Sequence, residues 1–275
     1  MSLAVVTDSA ACLPPALLRA HGIGVVELHA LPGADGAQPA TTARPSVDEL
    51  AGAYARALDG ADEVLAVHLA SVLSGTVDNA RLAAERVGEA VTVLDSGASA
   101  GALGLAVLAA CEARDARTGA ALARESASRS HLFFLVEDLS HLRRGGRIDR
   151  ATALVGSALG IRPVLGSSPD GIRVVETVRG AARSRRHLIA QAVHAAGGTA
   201  LTGPRPPAAP VRLAVHYGDD PAQGRALEND LAEAMAEAGA VVDSILRSPV
   251  DEAIRVHLGP GALGIVVAPA LAPSR

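Results

Sequence analysis

Short apolar runs alternate with amphipathic helical patterns along this chain, the pattern of a layered α/β fold. Residues 3–7 predict a first strand that Asp8-Ser9 closes. Pro14-Pro15 predicts a helix start, because the fixed φ of proline suits a first helical turn; this helix reaches Ala20. Residues 23–28 predict a second strand, 33–45 a polar loop and 47–58 a helix. The run 63–70 predicts a strand that passes straight into a helical pattern ending at Arg86. A strand at 90–94, a long helix to about Arg117, a helix at 120–130 and a strand at 132–136 follow.

A second part starts near Arg150. Residues 151–159 look helical, and 162–165 and 172–178 look like strands joined at Pro169-Asp170-Gly171, strong turn chemistry. A helix at 183–196 precedes 197–210, whose Gly and Pro mark a loop or internal linker. Strands at 211–216, 240–247 and 263–267 enclose a helix at 223–238.

Composition narrows the function classes. With 275 residues and 49% hydrophobic residues, the chain can bury one large core or two smaller ones. The net charge of −4 argues against nucleic acid or an anionic membrane as partner. Aromatic residues are 1% with no Trp, so stacking platforms for bases are scarce. There is no lysine, which excludes Schiff-base and P-loop lysine chemistry. Cys12 and Cys111 lack metal or CxxC spacing and fit buried thiols in a reducing compartment. The first eight residues lack the basic start of a signal peptide, and 97–111 is too short and Gly-rich to span a bilayer. A cytoplasmic protein without stable membrane insertion is expected.

Five segments carry candidate chemistry. Leu73-Ser74-Gly75-Thr76 stands where a strand meets a helix. Two hydroxyls and the unpaired amides of a helix start make an anion site there, unless Ser74 or Thr76 simply caps the helix. Thr42-Ala43-Arg44-Pro45-Ser46 precedes the next helix; Ser46 is its natural N-cap, which leaves Thr42 for a ligand. Gly97-Ala98-Ser99-Ala100-Gly101 fits the G-x-S-x-G nucleophile elbow, with Asp219 and His257 following in the hydrolase order, so a serine esterase using Ser99 is the competing expectation. In 143–150, helix capping accounts for Arg143, Arg144 and Gly145 but not for Arg147 or Arg150, which suit an anion or acidic partner. His257 opens the rigid loop Leu258-Gly259-Pro260-Gly261. No cluster has metal-ligand spacing.

Taken in order, Val6-Thr7-Asp8-Ser9, Thr42 to Ser46, Ala70 to Thr76, Leu94-Asp95-Ser96, Asp138 to Ile148, Ile161 to Leu165, Arg179 and His257 to Gly261 resemble the DegV family of fatty-acid-binding proteins. The sequence departs from that family's pattern at Ala43, Ala70 and Val77. The resemblance implies two α/β domains, 1–149 with a mainly parallel sheet flanked by helices and 150–275 with a mixed sheet, and a fatty acid between them. It implies that Thr42 and Ser74, with Ser71, Gly75 and His257 beside them, hold the carboxylate while the acyl chain enters an apolar tunnel. It further implies a non-catalytic carrier that needs no cofactor and presents the fatty acid to an ATP-dependent fatty acid kinase, which makes the acyl phosphate. Arg147 and Arg150 would assist near the carboxylate, and Arg179 would meet the kinase.

Overall fold

The computed structural model describes residues 2–32, 39–148, 161–168, 170–197 and 209–271. The predicted helix at 151–159, Arg150, Pro169 and most of the 197–210 segment lie outside them. The chain divides into two compact units. The first comprises residues 1–129, 251–256 and 271–275, the second 130–250 and 257–270.

In the first unit, β1 (Leu3–Asp8), β2 (Gly24–Val26), β5 (Glu63–His68) and β6 (Val91–Asp95) form a parallel sheet in the order β2-β1-β5-β6. The strands are near-continuous apolar runs because both faces are covered. Val6 of β1 and Val64 and Ala66 of β5 pack on α2 (Val47–Leu58) and α3 (Thr76–Val87) through Leu50, Tyr54, Ala80 and Ala83. The opposite face receives α5 (Ala116–Ser128), whose Gly119 lies against Leu65 and Leu3. After β1 the chain passes through α1 (Pro15–His21) to β2 on one side; after β5 it passes through α3 to β6 on the other. The connections diverge between the carboxyl ends of β1 and β5, the usual place for a ligand in an open parallel sheet.

Two expectations change here. The polar loop foreseen at 33–45 contains β4 (Pro39–Ala43), which pairs antiparallel with β3 (His29–Pro32), so Thr42 stands on a strand opposite Ala30. The long helix foreseen up to Arg117 ends with α4 (Ala100–Ala110). Asp115 then caps α5 by accepting the Thr118 amide at 2.8 Å, so the chain restarts instead of continuing. Ser46 caps α2 as expected, in a capping box with Glu49. All eleven residues of α4 are buried, so it has no polar face.

The second unit is built on a mixed sheet in the order β11-β10-β12-β7-β8-β9. These strands are β7 (His131–Leu135), β8 (Val164–Ser168), β9 (Gly171–Glu176), β10 (Val211–Tyr217), β11 (Val242–Pro249) and β12 (Leu263–Pro269). Only the β10–β11 pairing is parallel among them. β7 precedes residue 150 yet pairs with β12 and β8, so it belongs to this sheet. Alternate residues Phe133, Leu135, Leu213, Val215, Ile265 and Val267 meet α7 (Ala181–Ala195) and α8 (Pro221–Glu237) through Leu188, Leu227, Leu231 and Met235. The short helices α6 (Ser140–Arg144) and α9 (Glu252–Leu258), the latter counted with the first unit up to Val256, and a 3₁₀ turn at Ser9–Ala11 after β1 complete the described elements. None of the helices in the described residues is long and apolar enough to cross a membrane.

His216 on β10 is fully buried beside Ser248, and burial pushes its imidazole down to about 4 from the usual 6.5. The fold therefore favours the neutral ring. That contribution is complete above pH 6.5 and is lost as pH falls from 6.5 towards 4, on the order of 3 kcal/mol in all. Denaturant unfolding across this range is expected to show the fall, and His216→Gln to flatten its slope whatever the variant's stability at pH 7.

Candidate functional site

Residues 69–75 link β5 to α3 at the point where the connections diverge. Most of their backbone amides are held. The Leu69 amide donates to Asp8 Oδ2 at 3.0 Å, the Ala70 amide to the Ala98 carbonyl at 2.8 Å and the Ser71 amide to Asp95 Oδ1 at 3.3 Å. The Leu73 and Ser74 amides both donate to the Ala70 carbonyl, at 2.9 and 3.2 Å. What the loop presents is the exposed Ser71 and Val72, the partly exposed Ser74 hydroxyl and the start of α3. No side chain caps that helix start, so neither Ser74 nor Thr76 fills the capping role considered above. The two hydroxyls instead share a hydrogen bond of 2.9 Å; Ser74 is partly exposed and Thr76 buried. A helix start without a capping side chain leaves its first amides to an anion, although the Asp78 carboxylate in the same turn works against one.

Thr42 and Ser74 belong to segments that the structure joins. Arg44 donates to the Gly75 carbonyl at 3.2 Å, and the Asn79 amide group donates to the Pro45 carbonyl at 2.7 Å. A Cβ at Gly75 would run into the Arg44 guanidinium, so this glycine makes room for Arg44. Neither Arg44 nor Asn79 stood out in the sequence, because each bonds a backbone carbonyl that any residue would offer. Thr42 is partly buried on β4, and Ser71 is exposed.

Ser99 lies at the start of α4 in ordinary extended conformation, while the left-handed residue is its neighbour Ala100 at φ +50°. In a nucleophile elbow the serine itself takes the sharp turn. Among the described residues no histidine is hydrogen-bonded to Ser99; His68, in the same unit, is engaged by Asp8 and Tyr54. Burial pushes the Cys12 and Cys111 thiols up to about 12, which leaves both poor nucleophiles at neutral pH.

The second unit holds the other candidates. α6 closes in a Schellman motif: the Gly146 amide donates to the Arg143 carbonyl and the Arg147 amide to the Leu142 carbonyl, both at 3.0 Å, with Gly146 left-handed at φ +70°. Capping thus uses Gly146 where Gly145 was expected. Gly145 instead receives the His257 ring, which a Cβ there would displace. His141 rests on Gly259, where a Cβ would fall 2.7 Å from its Cδ2, and Glu137 rests on Gly261, 2.6 Å from such a Cβ. The two segments interlock through these three pairs. Arg147 folds back to donate to the Gly145 carbonyl. Burial first, and then the Arg147 charge, push His257 down to about 4. At neutral pH the site offers a neutral imidazole beside a guanidinium, a pair that can bind an anion but holds no acid proton to give. Arg179 is exposed, in an isolated bridge with Ile161.

Residues 34–270 match the family described as "Uncharacterised protein, DegV family". A DegV domain-containing protein of Streptomyces coelicolor is 35% identical, covering 96% of this chain and 98% of its own; one of Mycobacterium bovis is 36% identical, with 97% of each covered. Among solved structures, a DegV family protein from Thermus thermophilus, described for its fatty acid binding, superposes with a TM-score of 0.83 at 30% identity over 98% of this chain and all of its own. DegV of Bacillus subtilis, described as a fatty acid binding protein, gives 0.80 at 26% identity over 98% and 99%. The chain belongs to the DegV family, and its parallel and mixed sheets match the two α/β domains of those structures.

Because burial is the larger cause of the His257 shift, Arg147→Gln is expected to raise its pKa from about 4 without restoring 6.5. Histidine ring resonances followed by NMR titration measure both values.

Proposed function

We propose that this protein binds a long-chain fatty acid, its carboxylate held by Thr42 and Ser74 with Ser71 and Gly75 alongside, and that it acts as a carrier without catalysing a reaction itself. The observation that carries the reading is the tie between the Thr42 and Ser74 segments through Arg44 and Asn79, at the carboxyl ends of the parallel strands. Relatives of the same fold from Thermus thermophilus and Bacillus subtilis, described for fatty acid binding, support it. Neutral hydroxyls and helix-start amides suffice for one carboxylate in a dry site. Each buried methylene adds about 0.8 kcal/mol, so a long chain supplies affinity without aromatic side chains.

His257 and Arg147, and Arg150 beyond the described residues, are the groups proposed to assist at the carboxylate. The destination of the bound acid is an ATP-dependent fatty acid kinase, with Arg179 among the contacts. There a carboxylate oxygen attacks the γ-phosphorus of ATP, ADP leaves and the carrier holds the acyl phosphate. This part rests on the family resemblance and on the exposed position of Arg179.

Native mass spectrometry of the purified protein is expected to show a fatty acid that co-purifies. Ser74→Ala should lower palmitate affinity by about tenfold, the loss of one hydrogen bond to a charged group. A protein that purifies without lipid, together with unchanged affinity in Ser74→Ala, would sink the carrier reading. For the kinase step, extracts of the source cell supplied with ATP, palmitate and this protein should yield acyl phosphate, trapped as the hydroxamate. The yield should fall in Arg179→Glu while palmitate affinity stays the same; equal yields with and without the protein contradict the partnership.

A further inference from the structure

The fatty-acid reading leaves one buried polar cluster without a task. Asp8, His68 and Tyr54 have no exposed surface, and they come from β1, β5 and α2. Asp8 Oδ2 accepts from His68 Nδ1 at 2.9 Å and from the Leu69 amide at 3.0 Å; its Oδ1 accepts from the Ala10 amide at 3.2 Å. The Tyr54 hydroxyl lies 2.8 Å from His68 Nε2. The neutral tautomer with the proton on Nδ1 satisfies both ring nitrogens, with Tyr54 as donor. Burial, and then the Asp8 charge, push the Tyr54 phenol above its usual range, so it keeps its proton.

A carboxylate buried this deeply is costly unless it is paired and hydrogen-bonded. What it does is occupy the Leu69 amide, the first of the loop that carries Ser74. That peptide's carbonyl partner, His68, accepts the Ser96 amide at 3.1 Å, and the next two amides are held by Ala98 and Asp95. Three consecutive peptide planes are thereby fixed, and Asp8 is the anchor that water does not reach. The relay also runs to Tyr54 on α2, the helix that Ser46 caps directly after the Thr42 segment. Arg44 and Asn79 join the Thr42 and Ser74 segments at or near the surface, while Asp8, His68 and Tyr54 join β1, β5 and α2 in the interior.

We propose that Asp8, held through His68 and Tyr54, is a positioning residue that sets the loop 69–75 so that Ser74 meets a ligand carboxylate. This rests on the fatty-acid reading given above. The role is selective: it concerns the head group and leaves the acyl chain's binding alone.

Displacement of a fluorescent fatty acid by palmitate and by hexadecanol tests it, since the two share a chain and differ at the head. Tyr54→Phe keeps the ring and removes only the hydroxyl. It is expected to weaken palmitate by about fivefold, the worth of one neutral hydrogen bond, and hexadecanol by less than about twofold. Asp8→Asn should weaken palmitate further, and amide hydrogen exchange at residues 69–74 should quicken in both variants. Equal weakening of palmitate and hexadecanol in Tyr54→Phe overturns the proposal, because the relay then only supports the fold. Unchanged palmitate affinity in a folded Tyr54→Phe overturns it as well. Wild-type protein that binds palmitate no more tightly than hexadecanol removes the carboxylate site itself, and the positioning role falls with it.

Discussion

The first unit depends on one buried carboxylate. Asp8 ends the central strand β1, and its two oxygens collect the amides that follow β1 and β5 together with the His68 ring. Without it, two backbone donors inside the protein would lack partners, a cost of about 1–3 kcal/mol each. Because β1 and β5 are the strands between which the connections diverge, the same carboxylate that closes the sheet's interior also sets the loop at its edge. Stability and site geometry share one group.

The chain's composition shapes the way its parts approach each other. With no lysine or tryptophan and few aromatics, it builds contacts from small aliphatic side chains and places its cations as arginines. Gly119 brings α5 down onto Leu65 and Leu3, and Gly75 admits the Arg44 guanidinium. Glycine in these places is a packing choice, made where a side chain would hold two pieces of backbone apart. Arginine suits its task equally well, since its planar head can donate to a carbonyl and still carry charge.

Much of the fold could be read from the sequence, because buried parallel strands show as unbroken apolar runs and helices as amphipathic ones. The strand from Glu63 and the helix that Ser46 caps were legible in this way, whereas the mixed second sheet was expected from the family resemblance and not from the pattern. The β3–β4 hairpin was not: Thr41 and Thr42 are polar, and the pairing partner lies across a separate segment. The break before α5 was written as an Asp three residues ahead of Thr118, hidden in an otherwise helical run. Ser74 and Thr42 were visible as hydroxyls near helix starts. Arg44 and Asn79 act on backbone carbonyls, and Tyr54, His68 and Asp8 meet from three elements, so pattern alone could not join them. The G-x-S-x-G match around Ser99 shows the reverse, a motif whose spacing is right while the strained residue is its neighbour.

The interlock of Glu137 with Gly261, His141 with Gly259 and His257 with Gly145 has a consequence for descent. Each ring or carboxylate fills the space its glycine leaves, so the glycine cannot gain a side chain unless its partner gives way. The two segments are distant in the gene, yet they are bound to vary together or not at all. Their substitutions should therefore appear across relatives as correlated pairs, the trace of a fit kept by mutual selection.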